Sequence, residues 1–254
     1  MMSMTSNIDR LIETLCKERG ESVPPLQEKD KHDYFRALCN VRPPLPVSAE
    51  FLRLQDEYLS EQTIKRGIVD VNKFVYTNNI ALWQGDITRL NADAVVNACN
   101  SALLGCFHPL HNCIDNIIHS NAGVQVRLDC YRLMRGQTEK NGNVKVTKAY
   151  NLPSKYIFHT VGPIVRMRVT EENGRDLKNC YLSCLKKAKE LHLKSVAFCC
   201  ISTGVYSFPH DKAAEIAVGT VCEWKNTAKS DLKIIFNVFK DEDRKIYENL
   251  LKKL

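Results

Sequence analysis

Two thiols and an imidazole stand close together at Cys106, His111 and Cys113, in a C-x4-H-x-C arrangement. Thiolate sulfur and imidazole nitrogen are ligand types that zinc favours, and the single residue between His111 and Cys113 suits a loop better than a helix. Three protein ligands leave a fourth position open, as in a catalytic zinc site. A fourth donor from His108, His119 or Cys130 would instead close a structural tetrahedron. The open site is the expectation, and a metal held there can polarise an oxygen or lower the pKa of a bound water. His119 and His159 read as structural histidines with satisfied nitrogens.

Three further segments offer polar or glycine-containing loops: Gly85-Asp86-Ile87-Thr88, Asn97-Ala98-Cys99-Asn100 and Ser202-Thr203-Gly204-Val205-Tyr206. The last lies between a buried strand and a helix, where backbone N–H groups freed by Gly204 can cradle a diphosphate. Each segment alone is equally well an ordinary turn.

These loops need strands and helices to position them, and from about Tyr76 the sequence alternates between the two. Strands are expected at Ile80–Gln84, Ala94–Cys99, Lys145–Tyr150, Lys155–Val161, Ser195–Ile201 and Ile234–Phe239. The run SVAFCCI reads as a strand covered on both faces. Helices are expected over Ile114–Met134, Leu177–Leu191, Asp211–Trp224 (capped by Asp211) and Asp241–Leu251. This alternation predicts a three-layer α/β/α domain with ligands at the carboxyl ends of the strands. Residues 1–75 differ, with helical spacing over Ile8–Lys17, Glu28–Cys39 and Ala49–Tyr58 broken by Gly20, Pro24-Pro25 and Pro43, Pro44 and Pro46. They read as a helical cap whose apolar stripes must dock on the domain at 76–254.

Composition narrows the function classes. With 44% hydrophobic residues the chain can bury a large core. It lacks the run of roughly 20 apolar residues that a membrane span needs, and its first residues (MMSMTSNIDRLIETL) lack the pattern of a secretory leader. Eleven cysteines, an odd number, suit a reducing compartment better than a disulfide framework, so a cytoplasmic location is expected. The net charge of +7 sits largely on solvated helix faces such as Lys186, Lys187 and Lys189. With no RNA-binding aromatic signature, no nucleic-acid partner is expected.

In their order, GDIT, DAVVNACN, IDNIIH, HTVGP and CISTGVYSFP resemble the macrodomain family over about residues 76–254. The resemblance implies a mixed sheet between helices and a cleft for ADP-ribose. By that resemblance, Asp86 accepts a hydrogen bond from the adenine amine and Ile87 supplies neighbouring backbone. Ser202, Thr203, Gly204, Val205 and Tyr206 surround the diphosphate, with Tyr206 near the distal ribose. Phe239 is placed for stacking on adenine. Asn100 and Asp115 match the pair at the distal ribose in hydrolytic members, where the carboxylate can orient water or act as general base toward C1. On residue type alone Asp115 is equally an acidic residue favoured by the first turn of a helix. Many members have a run of glycines before that helix. Here Gly105–Cys113 stands instead, and with Ile114-Asp115-Asn116 it fills the signature G-C-F-x-P-x-H-x-C-I-D-N of the family's zinc-containing branch.

The resemblance therefore implies hydrolysis of ADP-ribosyl groups on proteins, with Zn2+ as cofactor, ADP-ribosylated protein as partner and a functional link to a sirtuin-type ADP-ribosyltransferase. Two alternatives use the same pocket: a module that binds ADP-ribose without turnover, and a deacetylase of O-acetyl-ADP-ribose. The retained carboxylate favours hydrolysis of the protein linkage over simple binding.

Overall fold

The computed structural model describes residues 6–253. Met1–Thr5, at the head of the segment inspected for a leader, and Leu254, at the end of the 76–254 range, lie outside them. Branched and aromatic residues form six strands: β1 (Ile80–Gln84), β2 (Ala94–Cys99), β3 (Val144–Lys148), β4 (Tyr156–Val161), β5 (Ser195–Phe198) and β6 (Lys233–Val238). Their order is β1-β6-β5-β2-β4-β3. All pairs are parallel except β3 on β4. Every residue of β5 is buried, whereas most of β3 is only partly covered, as befits the one antiparallel strand at an edge. Because the other five strands run in one direction, their carboxyl ends share one edge, and the loops after Gln84, Cys99, Val161, Phe198 and Val238 gather there.

The helices are α1 (Asn7–Glu18), α2 (Lys31–Val41), α3 (Ala49–Arg66), α4 (Ile114–Ala122), α5 (Val124–Met134), α6 (Glu171–Glu190), α7 (His210–Ala228) and α8 (Asp241–Leu251). Helices α6, α7 and α8 pack against one another, α4 and α5 form a second group, and α2 and α3 rest on α4. This is the expected α/β architecture with a mixed central sheet. No helix of the described residues is long and apolar enough to cross a membrane.

Several boundaries differ from the sequence reading. The expected helix 114–134 is two helices, broken at Gly123 (φ 101°). A Cβ there would press on the side chains of Gln55 and Gln125, so the site requires glycine for space as well as for conformation. Helix α3 runs past Tyr58 until Gly67 (φ 81°) ends it. Helix α6 begins well before Leu177, at a capping box in which Thr170 and Asn173 bond each other's backbone. Pro209, not Asp211, precedes α7, and Asp211 falls in its first turn. Strand β5 ends at Phe198 because Cys199–Tyr206 turns away as a loop, and β3 spans Val144–Lys148.

The first three helices also pack differently from expectation. Ile8, Leu11, Ile12, Leu15, Phe35, Leu38, Phe51, Leu54, Tyr58 and Leu59 bury against one another, and among the described residues Val124 is the only buried one of the α/β body in their cluster. The joint to the body is mainly polar. Buried Gln55 accepts from Val124 N at 2.9 Å and donates to Gln125 at 2.6 Å. Arg127, also buried, donates to the carbonyls of Cys39, Asn40 and Arg42, at the end of α2 where helix carbonyls lack internal partners.

Candidate active site

Asp115 sits in the first turn of α4, only 5% exposed. It is aimed by Asn97 of β2, whose amide donates to Oδ1 at 2.8 Å. Burial raises its carboxyl pKa to about 6, against the lowering effects of the Asn97 bond and the Arg127 charge. His119, one turn on, brings Nε2 to 3.5 Å from the same oxygen. Burial, with the charges of His159 and Arg127, drives its pKa well down, so the imidazole is neutral and the contact is not an ion pair. Contrary to the sequence reading, neither His119 nitrogen has a hydrogen-bond partner among the described residues. His159 is satisfied as expected: Thr147 Oγ1 lies 2.9 Å from Nε2, Asn97 lies 3.2 Å from Nδ1, and burial holds its pKa at about 3. His119, Cys130 and His159 together form a fully buried cluster.

Just before α4, the donor atoms of Cys106, His111 and Cys113 all lie within 4.8 Å of one another, and the three residues are half-buried. Cys106 Sγ is 3.3 Å from His111 Nδ1. Cys113 caps α4 through its sulfur, and burial together with the neighbouring Cys106 pushes its thiol up to about 11. Two thiols and an imidazole converging at this distance are a donor set that a soft cation would stabilise, so the residues present fit a metal. The group includes none of His108, His119 and Cys130, the residues that could have closed it.

The loop carrying these residues is held from outside itself. Asn100 donates to Gly105 O at 3.0 Å and accepts from Ala102 N at 3.0 Å, so its amide braces the start of the loop. Arg127 donates to Leu104 O at 2.7 Å and stacks its guanidinium over Phe107 at 4.5 Å. From α2, Arg36 donates to His111 O at 2.8 Å, and Asn40 accepts from Leu110 N at 3.0 Å.

In the loop after β5, Ser202 and Ser207 take the left-handed conformation (φ 66° and 56°). Gly204 does not, which corrects the expectation that Gly204 frees this turn. It is exposed and a Cβ would touch nothing there. The glycine that matters is Gly162 in HTVGP, where a Cβ would overlap Ser202 Oγ. Thr203 turns back on Cys200 O, Val205 is 72% exposed, and Tyr206 O accepts from Val165 N at 2.9 Å. The Tyr206 ring is half-buried, and its phenol pKa is raised by burial and by the charges of Cys99, Asp115 and Cys113.

Asp86 caps the turn Ile87–Arg89, accepting from Thr88 N at 2.9 Å and Thr88 Oγ1 at 2.7 Å. Its second oxygen pairs with Arg66 at 3.1 Å. Ile87 itself is buried. Phe239 lies one residue beyond β6, 76% exposed, its carbonyl accepting from Gln84 at 3.1 Å.

Residues 96–217 match the Macro domain family. A protein-ADP-ribose hydrolase of Staphylococcus aureus (strain MSSA476) is 49% identical, covering 98% of this chain and 96% of that protein. The chain belongs to the macrodomain family. A protein-ADP-ribose hydrolase of Treponema medium is 47% identical over 95% of this chain and 96% of its own. A Trypanosoma brucei macrodomain solved in complex with ADP-ribose superposes with a TM-score of 0.66 at 28% identity, covering 82% of this chain and 92% of that one.

In this macrodomain the structure gathers Cys106, His111, Cys113, Asp115 and Tyr206 at one end of the edge. Asp86 stands with the outward faces of α3 and α4, and Phe239 on the surface after β6. The sequence reading passed over Asn97, Arg36, Asn40, Arg127 and Gly162. Asn97 stands in the quoted DAVVNACN segment, three residues before the asparagine singled out. The others lie far along the chain from what they hold.

Proposed function

We infer that this macrodomain removes ADP-ribose from modified proteins, as a protein-ADP-ribose hydrolase. The observation that carries the reading is its likeness, over nearly the whole chain at 49% identity, to a protein of that activity. A buried carboxylate, aimed by Asn97 and placed beside a thiol–imidazole loop and the Tyr206 ring, supports it.

In this reading Asp86 takes the adenine amine, with the Ile87 backbone beside it and Phe239 stacking on the base. The Ser202–Tyr206 loop surrounds the diphosphate, and Asn100 and Asp115 meet the distal ribose. Asp115 accepts a proton from the water that attacks C1, the bond from C1 to the acceptor side chain breaks, and the proton passes to the departing group. Asn97 keeps Asp115 in line, and Tyr206 covers the reacting end from water. Cys106, His111 and Cys113 would hold a zinc ion, which when bound supplies an electrophile at the distal ribose. The donor chemistry supports zinc, and the composition of the group supports an open fourth position. Residues 1–75 we assign as an extension docked on the 76–254 macrodomain. The eleven free thiols support a cytoplasmic setting, and the sequence resemblance supports a sirtuin-type ADP-ribosyltransferase as the opposing activity.

Incubation with ADP-ribosylated proteins of ester, amide and guanidinium linkage, with released ADP-ribose measured, tests the activity. Release from at least one linkage is expected. Binding without release from any would make the protein a module that only holds ADP-ribose. Metal analysis tests the loop: about one zinc per chain is expected, with most of it lost in Cys113→Ala. Unchanged zinc in that variant removes Cys113 from the site.

A further inference from the structure

Between the extension and the body lies a cavity of about 200 Å³. That is roughly six waters' worth of volume, enough for one heteroaromatic base and too little for a whole nucleotide. Asp86, Ile117, Ser120 and Asn121 line it from the body. His32, Phe35, Arg36 and Arg66 are among its lining residues from α2 and α3. The family match begins at residue 96, so this second wall lies outside the segment that defines the fold family.

We propose that the extension forms the outer wall of the nucleobase pocket, and that Arg66 and His32 set its fit to adenine. The inference rests on the reading of Asp86 as the partner of the adenine amine. The cavity has the chemistry of a base site. Phe35 and Ile117 line it with apolar surface, and Asp86 offers an acceptor to an edge carrying an amine. A phosphate group would be a poor occupant beside the Asp86 carboxylate, which repels an anion, despite two arginines. Arg66 already pairs with Asp86 at 3.1 Å and Thr88 Oγ1 at 3.0 Å. Arg36 serves His111 O and Asn116 Oδ1 with Nη2, while its buried Nε has no partner among the described residues.

Arg66 gives the carboxylate its orientation. Thr88 occupies one Asp86 oxygen and Arg66 the other, so the carboxylate cannot rotate freely and its remaining lone pairs have fixed directions. A base amine that meets a fixed acceptor is distinguished from a carbonyl at the same position, because oxygen facing carboxylate leaves both without a donor. Hypoxanthine differs from adenine in this way. His32 is exposed at the cavity and bonds Tyr58 OH at 2.9 Å, so a larger ring there intrudes on the pocket without entering either core.

Calorimetric titration of the full chain with ADP-ribose and with its hypoxanthine analogue tests the proposal, alongside turnover of an ADP-ribosylated protein. Wild type should bind ADP-ribose the more tightly by about tenfold, the value of one hydrogen bond to a charged group. His32→Trp should weaken ADP-ribose about tenfold or more and raise KM far more than it lowers kcat, with the melting temperature kept. Arg66→Ala should shrink the preference for adenine toward unity, and Arg66→Lys should restore part of it. If wild type binds ADP-ribose but both His32→Trp and Arg66→Ala keep its affinity and its preference, the cavity is not the base pocket and the proposal falls. If wild type binds neither nucleotide and releases no ADP-ribose, the functional reading itself has failed and takes the proposal with it.

Discussion

The α/β body and the helical extension bury apolar surface in opposite manners. The body encloses one continuous core, running from Val95 and Val96 in β2 through Phe158, Phe198 and Phe236. Helices α1–α3 of the extension close their apolar faces on one another and meet the body mainly through Gln55, Arg127, Arg36 and Asn40, while Val71, after them, is buried in the body's core. An apolar joint can slide or repack, since dispersion is non-directional, whereas a joint of directional hydrogen bonds favours one register. The extension is therefore registered on α4, α5 and the Gly105–Cys113 loop by directional bonds. In the proposed reading the body carries the reacting groups, and the extension fixes the loop beside them.

If this division holds, the largest effect belongs to the body. Asp115→Ala removes the candidate base and should cut ADP-ribose release by a factor of about 10² to 10⁴. ADP-ribose itself should still bind within about tenfold, since Asp86 and the Ser202–Tyr206 loop remain. Single-turnover kinetics with parallel calorimetry would show it. Equal losses in rate and binding would mean Asp115 is a binding group only, and the division of labour would need redrawing.

The next effect strikes the joint. Arg127 is buried and its guanidinium satisfies carbonyls at Leu104, Cys39, Asn40 and Arg42. Arg127→Met keeps the length and strands those carbonyls, so a loss on the order of 3 kcal/mol in unfolding free energy is expected. Because the loop at Leu104 and Phe107 loses its anchor too, zinc retention should fall as well. A variant that melts like wild type and holds metal equally would show that the joint is not registered by Arg127.

The contrast also governs what the sequence discloses. Strands β1 and β2 follow their expected bounds residue for residue, because an apolar run closed by a polar turn is a local signal. Cys106, His111 and Cys113 were legible together because they stand in one loop. The break at Gly123 was not, since its cause is Gln55, far away on α3. The left-handed turn at Ser202 was also hidden, because glycine is the residue type that announces such a conformation and here a serine adopts it. Arg36, Asn40 and Arg127 act on groups about 70 to 90 positions distant or more locally through loops, and no periodicity records such a partnership. The role of Asp86 was read from its motif, while its partner Arg66 could only be found in three dimensions.

A smaller effect is expected at the border between the regions. Asp86→Ala removes one charged acceptor from the proposed base pocket and should weaken ADP-ribose by about tenfold, equivalent to roughly 1.5 kcal/mol. It also frees Arg66, so Asp86→Asn is the sharper probe: the amide can still accept from Thr88 N but has lost its charge. Calorimetry on both variants would separate charge from hydrogen bonding. Undiminished affinity in Asp86→Ala would move the adenine end elsewhere.

The smallest effect concerns Gln55 alone. Its Oε1 accepts from Val124 N, the first backbone N–H of α5, and so caps that helix from another part of the chain. Loss of a helix cap costs about 1 kcal/mol. Gln55→Ala should therefore lower stability by about 1–2 kcal/mol, read as a shift in denaturation midpoint, while leaving the rate of ADP-ribose release per folded molecule unchanged. Gln55→Glu separates cap from space. It retains an acceptor for Val124 N, but turns a second acceptor toward Gln125 Oε1, now 2.6 Å from a donor. Gln125 can answer only by rotating its amide, which abandons the bond from its Nε2 to Asp56 at 2.7 Å. The expected order of stability is wild type, then Gln55→Glu, then Gln55→Ala, if capping dominates. Reversal of the two variants would show that the amide pairing with Gln125, rather than the cap on α5, registers the extension on the body.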